Sequence, residues 1–164
     1  MAALTFNLWT CPCCGHPRGL GHLIDLYERN FRLLARLVPE LELPFNAAIS
    51  RAADEPLLGL EVVSRSRYTS EICLRYCFAA PEEAVQSEVR VRVCRDAGTA
   101  EALSPVPPEQ AWPLATGEGQ DAEQFLHDQW HRNHFLNRWL EYLLARGHGF
   151  VLAERPRGIP APVD

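Results

Sequence analysis

Residues 57–78 have the sequence LLGLEVVSRSRYTSEICLRYCF, in which apolar side chains recur at every second position on both sides of a central polar stretch. The same period returns in residues 88–94, EVRVRVC. The apolar residues predicted to share one face are Leu58, Leu60 and Val62, then Ile72, Leu74, Tyr76 and Phe78, then Val89, Val91 and Val93. Period two is typical of strands that bury one face, so residues 47–95 predict three or four antiparallel strands.

The opposite face of these strands combines arginine and cysteine. It is predicted to carry Cys73, Arg75, Cys77, Arg90, Arg92 and Cys94. Antiparallel sheets commonly leave one face in contact with water. We therefore interpret this mixture as a solvated face rather than as a reactive site.

Two amphipathic helices flank the predicted sheet. In the first, from His22 to Val38, apolar residues recur at three- and four-residue spacings, and Pro39 ends the helix. The second runs from about 122 to 145 and ends at Arg146 and Gly147, a basic residue followed by glycine. Residues 100–120, with four prolines and two glycines, predict a long Pro-rich connection before this C-terminal helix. The expected class is α+β, with both helices on one face of the sheet.

Length and composition indicate one compact domain. The chain has 164 residues, 47% of them hydrophobic, and a formal net charge of −5. This content is enough to bury a core, and a mildly acidic chain has no global field that attracts nucleic acid or anionic lipid. No apolar run approaches the roughly 18–20 residues of a membrane helix, and residues 1–10 lack a secretion-signal pattern. We expect a cytoplasmic protein with an N-terminal arm (1–21), one domain (22–150) and an irregular tail (151–164).

Three of the six cysteines lie in the arm, within residues 11–16, CPCCGH. Cys11 and Cys14 have the Cys-x-x-Cys spacing at which two thiolates hold one tetrahedral ion, and zinc is the expected ion because thiolates favour thiophilic metals. The nearest further ligands are His16 and His22, with Cys13 as a competitor for Cys11 or Cys14. No second Cys-x-x-Cys occurs. The alternatives are an arm whose cysteines are simply reduced, or a redox pair.

Three histidines form a stripe on the second predicted helix. His127, His131 and His134 are spaced i, i+4 and i+7, so they share one side of the helix, away from its apolar side. One ion could bind His127 with His131, or His131 with His134, but the outer pair lies roughly 10 Å apart along the axis. If the arm folds over this stripe, Cys11 and Cys14 with two of the histidines would complete a zinc site. The alternative is a solvated histidine-rich surface.

Other polar residues are candidates for binding. Asn30 and Asn133 fall on or near the apolar sides of the helices, and buried amides must be hydrogen-bonded. We expect them to bind backbone or each other across the helix pair, with ligand binding as the alternative for Asn133. Arg67 and Tyr68 could form a small anion-binding or partner-binding edge on the sheet, and the equal alternative places Tyr68 in the core and Arg67 in solvent. The sequence has no phosphate-cradling glycine loop, no nucleophile elbow and no His-Glu-x-x-His motif.

Several short stretches match one known pattern. They are Asp25–Leu34 with Leu37–Pro39, Ser66–Thr69, Val91–Val93 with Asp96–Ala97 and Ala100–Glu101, and Asn133, Phe135–Leu136, Trp139–Leu140 and Gly147. On these residues the chain resembles the YqiB-like family of bacterial domains of unknown function. The resemblance implies a compact bacterial cytoplasmic domain and no particular activity. His127–Gln129, Val93–Arg95 and the arm from Cys11 to His22 depart from the family pattern, so the chain resembles a divergent member with added cysteine and histidine.

These patterns favour an accessory binding protein, with a structural zinc site, that docks a protein or peptide partner. A metal-dependent enzyme with a Cys/His centre is the alternative, and a thiol redox protein is a third hypothesis. A structural site would be closed by four protein ligands, whereas a catalytic one would keep an open position. Nucleic acid and membranes are not expected partners, and the sequence leaves the oligomeric state open.

Overall fold

A computed structural model describes residues 19–42, 44–77, 88–103 and 120–151. These residues form, in order, α1 (Leu20–Leu37), β1 (Ala47–Ser50), β2 (Leu57–Arg65), β3 (Thr69–Cys77), β4 (Glu88–Cys94), β5 (Thr99–Ala102) and α2 (Gln120–Ala145). The predicted α+β class is confirmed, with an N-terminal helix, an antiparallel sheet and a C-terminal helix. The sheet has five strands where three or four were predicted.

The sheet is an antiparallel meander in which each strand pairs with the next along the chain. Ile72 on β3 lies opposite Val62 on β2 and Val91 on β4, so the apolar row predicted by period two continues across strands. The β2–β3 register shifts between Val62 and Ser64, where the extra residue forms a bulge. The inner face is made of buried residues: Leu58, Leu60, Ile72, Leu74, Val91, Val93, Ala100 and Ala102.

Both helices pack against the inner face of the sheet and form one core with it. The two helices run in the same direction. Asn30 of α1 contacts Asn133 of α2, and Phe150, beyond the end of α2, donates its N–H to the carbonyl of Leu37 at 2.8 Å. The helix residues in this core are Leu34, Leu37, Leu136, Leu140 and Leu143. Burying each such side chain contributes roughly 1.5–3 kcal/mol, so this contact is a main source of stability. Neither described helix is long and apolar enough to cross a membrane.

β5 is a strand that sequence analysis placed in the long connection. Thr99–Ala102 pairs with β4, and the turn before it contains Gly98 at φ 63°, a left-handed conformation that suits glycine. Alanine has low strand propensity, so the local sequence did not predict a strand here. The ladder continues to Leu103, whose N–H donates to the carbonyl of Arg90 at 2.8 Å. The connection therefore begins later than predicted, and residues 104–119 lie outside the described residues.

α2 ends at the predicted glycine. Gly147, at φ 86°, donates its N–H to the carbonyl of Leu144 at 3.1 Å, and the N–H of His148 donates to that of Leu143 at 3.0 Å. This Schellman pattern needs a left-handed residue, which glycine provides without steric cost. The turn sends His148, Gly149 and Phe150 back towards the sheet and the end of α1.

Candidate metal-binding and partner-binding sites

Two of the three stripe histidines meet on α2. His127 and His131 are one helical turn apart, and their Nε2 atoms lie 3.0 Å apart. Tetrahedral zinc with Zn–N bonds of 2.0–2.1 Å would place two ligand nitrogens about 3.3–3.4 Å apart. The two rings therefore converge to nearly the spacing of a chelating pair. Without a metal ion, the same contact is a hydrogen bond in which one Nε2 donates to the other.

The third stripe histidine has a different neighbour. The ring of His134 packs against Trp130, with centroids 6.4 Å apart and an interplanar angle of 28°. The geometry thus favours His127 with His131 over His131 with His134 as a chelating pair. His22, in the first turn of α1, accepts a long hydrogen bond of 3.4 Å from the N–H of Gly19 at its Nδ1.

A complete metal site needs ligands from beyond the described residues. Among the described residues, no group of three or more His, Cys, Asp or Glu side chains could hold a metal ion. The predicted ligands of the arm, Cys11, Cys13, Cys14 and His16, lie outside the described residues. The zinc site that combines arm cysteines with stripe histidines therefore stays a prediction.

The N-terminal arm joins the described domain at the end of the helix pair that is nearer to His127 and His131. Because α1 and α2 run in the same direction, the chain leading to Leu20 arrives where α2 begins. Six residue steps from Cys14 to Leu20 span up to about 20 Å when extended. His127 and His131 lie about 10 and 17 Å along the axis from the start of α2. The extended length of this six-residue stretch therefore matches the axial distance to the histidine pair.

The outer face of the sheet carries paired charges, in line with its interpretation as a solvated face. Its arginine–glutamate contacts include Arg75–Glu61 at 3.3 Å, Arg90–Glu88 at 3.4 Å and Arg92–Glu71 at 3.0 Å. Cys73 is buried on this face, and burial, reinforced by Glu88, raises the pKa of its thiol to about 12. The thiol is protonated near neutral pH, which makes Cys73 a poor nucleophile and a poor metal ligand.

Arg67 and Tyr68 form the tip of the β2–β3 hairpin. The guanidinium carbon of Arg67 lies 5.0 Å from the ring centroid of Tyr68, whose side chain is about half exposed. Arg95, from the neighbouring turn, donates through its guanidinium to the carbonyls of Ser66 and Arg67 and through its N–H to that of Tyr68. The tip is therefore braced. A braced, exposed Arg–Tyr pair has the composition of protein-binding hot spots.

Asn133 lies inside the domain, where protein groups occupy its side-chain amide. Its Oδ1 accepts the N–H of Ala102 at 2.8 Å, and its Nδ2 donates to the carbonyl of Gln129 at 2.8 Å. Asn30 donates through Nδ2 to the Asn133 carbonyl at 3.3 Å. The predicted contact between the two asparagines across the helix pair is confirmed. This arrangement supports a structural role for Asn133 and gives no support to its alternative role in ligand binding.

A buried serine–histidine pair was missed by sequence analysis. His148 Nδ1 lies 3.2 Å from Ser50 Oγ, which also accepts the N–H of Gly149 at 2.9 Å. Ser50 and His148 are both buried. No local pattern links them because 98 positions separate them along the chain. Their burial leaves little access for a substrate, so we interpret the pair as a latch between β1 and the residues after α2.

A family comparison covers most of this structure. The model of a family described as "Protein of unknown function (DUF1249)" matches residues 33–149. The chain belongs to the DUF1249 family. Neither a curated protein nor a solved structure matches it. The predicted membership in a family of unknown function is thereby confirmed.

Some candidate site residues of this DUF1249 protein lie inside the region matched by the family model, and others lie before it. The sheet, His127, His131 and the Ser50–His148 latch lie inside the matched region, whereas Cys11 and Cys14 lie before it. A centre that joins these cysteines to the histidine pair would therefore combine a residue pair inside the family domain with one outside it.

We expect the free energy of unfolding to decrease in mild acid because His148 of the latch is buried. Burial lowers the pKa of His148, against an opposing effect of Glu55. The neutral ring is favoured in the folded state, while the unfolded chain takes up a proton as the pH falls below about 6.5. The contribution of His148 to the free energy of unfolding is therefore complete above pH 6.5 and is lost as the pH falls towards the folded-state pKa. Urea unfolding of the wild type and His148→Gln at pH 7.5 and 5.5 should show the smaller pH effect in the variant.

The comparison uses the change with pH rather than the absolute stability, because His148→Gln also disturbs the contact with Ser50. The exposed His134 supplies a matched control, and His134→Gln should keep the wild-type pH effect. Equal pH effects in the wild type and His148→Gln would show that His148 does not couple folding to protonation.

Proposed function

We propose that this DUF1249 protein is an accessory binding domain whose N-terminal arm is held against α2 by a structural zinc ion, and that it docks a protein or peptide partner. The observation that carries the zinc site is the approach of the Nε2 atoms of His127 and His131 to 3.0 Å. Cys11 and Cys14 would supply the other two ligands. Two thiolates and two imidazoles form a set that tetrahedral zinc prefers in structural sites.

The proposed ligand set favours a structural role over a catalytic one. Four protein ligands fill every position of a tetrahedral ion, whereas catalytic zinc keeps a position for water or substrate. An ion fixed by both the arm and α2 would tie together two segments that lie more than one hundred positions apart in the sequence.

A zinc ion that joins the arm to α2 would also favour burial of apolar side chains. Leu20, Ile24 and Phe125, at the end of the helix pair where the arm enters, have side chains that are 63%, 44% and 43% exposed. The arm itself contains apolar residues at positions 4, 6, 8 and 9. Zinc bound at His127 and His131 would hold these residues close to the exposed apolar side chains, and burying both sets would be favourable.

The hairpin tip of Arg67 and Tyr68 is the proposed docking edge. Arginine presents several N–H donors to a carboxylate or a carbonyl of a partner, and tyrosine buries a large apolar ring at low conformational cost. Proteins retained by the immobilised wild-type chain but not by Arg67→Ser would support this edge. Identical sets of proteins retained by both would remove Arg67 from the docking surface.

Elemental analysis of the untagged protein tests the zinc site. We expect one zinc per chain in the wild type and none in either Cys11→Ser/Cys14→Ser or His127→Gln/His131→Gln, because each pair supplies half of the ligands. Replacing zinc with cobalt should add a thiolate charge-transfer band and the intense visible bands of a tetrahedral ion. Two exposed residues outside the centre give controls, and both His134→Gln and Cys77→Ser should retain the ion.

The two double variants separate the alternatives. A wild type without metal would contradict the proposal outright. Zinc that is lost from the cysteine variant but kept by His127→Gln/His131→Gln would show that the arm binds the ion with other ligands, and the proposed attachment of the arm to α2 would be wrong. Weak visible bands typical of a higher-coordinate cobalt ion would contradict a closed centre and favour the metal-dependent enzyme.

A further inference from the structure

The two edge strands of the sheet, β5 and β1, differ in whether other parts of the described structure cover their outward backbone groups. At the β5 edge, the outward-facing N–H of Ala102 is bonded to Asn133 Oδ1 at 2.8 Å, and α1 packs along the strand. At the β1 edge, no strand among the described residues pairs with the outer side. An open edge presents backbone donors and acceptors to other strands.

The pairing of β1 with β2 identifies which backbone groups are open. The N–H of Val62 donates to the carbonyl of Asn46 at 2.7 Å. In an antiparallel ladder, successive residues alternately direct their N–H and C=O groups towards and away from the neighbouring strand. Since Asn46 faces β2, Ala48 does as well. Ala47 and Ile49 therefore direct their N–H and C=O groups to the open edge.

The side chains of β1 do nothing to block this edge. Edge strands are commonly protected by charged residues, proline or a bulge, and Ala47–Ser50 contains none of these. Ile49 is 60% exposed, and the residue opposite it on β2 is Gly59, which has no side chain to cover it. β1 is only four residues long and so presents few backbone groups, but no charged side chain or proline within it blocks them.

We propose that β1 pairs antiparallel with β1 of a second copy of this chain, about a two-fold axis at Ala48. In this register Ala48 faces the partner's Ala48, and Ala47 lies opposite the partner's Ile49. Each of the two Ala47–Ile49 pairs exchanges two backbone hydrogen bonds, so four bonds join the two sheets. The open groups are symmetric about Ala48, which makes the edge complementary to itself, as a two-fold interface requires.

The charges on the outer face are compatible with this register. Ile49 would lie between Gly59 of its own chain and the partner's Ala47. Arg75 is next to Gly59 in the same row, and the partner's Glu61 is next to the partner's Ala47. Each row across the junction therefore has arginine on one side and glutamate on the other, with uncharged residues between them. Arg75 and Glu61 of each chain remain paired with each other at 3.3 Å, and no like charges lie opposite each other in these rows.

The test measures the mass of the full chain over a range of concentrations by sedimentation, with reductant present because Cys77 is exposed. The wild type is expected to approach twice the 18.5 kDa chain mass. Ile49→Lys places two like charges near the junction, and Ala47→Pro removes an N–H that points to the open edge. Both should raise the dissociation constant at least about tenfold. Val63→Lys, at a position 45% exposed on β2, is the control and should dimerise like the wild type.

Thermal unfolding at low concentration checks that the variants fold. A wild type that stays monomeric at the highest concentration reached would overturn the proposal. In that monomer, slow hydrogen exchange at the Ala47 and Ile49 amides would assign the edge to another segment of the same chain. A dimer that survives both Ile49→Lys and Ala47→Pro would place the interface elsewhere and would also overturn the proposal.

Discussion

Replacing Asn133 with alanine should lower the free energy of unfolding by about 3 kcal/mol, measured by urea unfolding at pH 7.5. Asn133 and Asn30 are fully buried, and Ala102 is nearly so. Alanine would leave the N–H of Ala102 without its acceptor, Asn133 Oδ1, whereas Asn30 Nδ2 would keep the backbone carbonyl of Asn133. A buried polar group that loses its partner costs about 1–3 kcal/mol, and the cavity adds to this loss.

Two further variants separate the hydrogen bonds from the cavity. Asn133→Leu fills similar space without an acceptor, so it should remain destabilised and should speed hydrogen exchange at Ala102. Gln124→Ala removes an exposed amide of the same helix that contacts Asp128, and it should change stability by less than about 0.5 kcal/mol. Recovery of wild-type stability in Asn133→Leu would mean that packing, rather than the bond to β5, explains the burial of Asn133.

The parts of the fold with strong periodicity were predictable from sequence. Period two in β2, β3 and β4 identified the strands and their buried face, because one-sided burial selects every second residue. The residues Thr99–Ala102 gave no such signal, since alanine is a weak strand former. β5 depends on its pairing with β4 and on the bond from Asn133 to Ala102, which are contacts between distant parts of the sequence. Local pattern therefore could not reveal β5.

In the candidate sites, too, local spacing predicted some features, whereas others depend on contacts that the folded structure creates. Helical periodicity placed the three histidines on one side of α2, but i,i+3 and i,i+4 neighbours are both close on a helix. The packing of His134 against Trp130 distinguishes it from His127 and His131, and spacing alone did not predict that contact. The latch between Ser50 and His148 is formed by the turn at Gly147 and by the strand β1. Neither residue has a sequence neighbour that indicates the other.

The structure predicts a large effect at one residue beyond the end of α2. Phe150→Ala should lower the free energy of unfolding by about 3–5 kcal/mol, the usual cost of removing a buried phenylalanine ring. The side chain of Phe150 is 2% exposed and packs in the core, and its N–H donates to the carbonyl of Leu37. Urea unfolding of the wild type and the variant at pH 7.5 measures the difference.

The adjacent residue provides a matched control for the packing of Phe150. Val151 is 92% exposed, so Val151→Ala should change stability by less than about 0.5 kcal/mol. Phe150→Leu keeps an apolar side chain and should recover part of the loss, because the backbone bond to Leu37 survives in every one of these variants. Similar small effects at positions 150 and 151 would show that the segment from Gly147 to Phe150 does not hold α1 and the sheet together. A large effect confined to Phe150 would instead make the segment from Gly147 to Phe150 part of the core, with Ser50 and His148 as its polar attachment to β1.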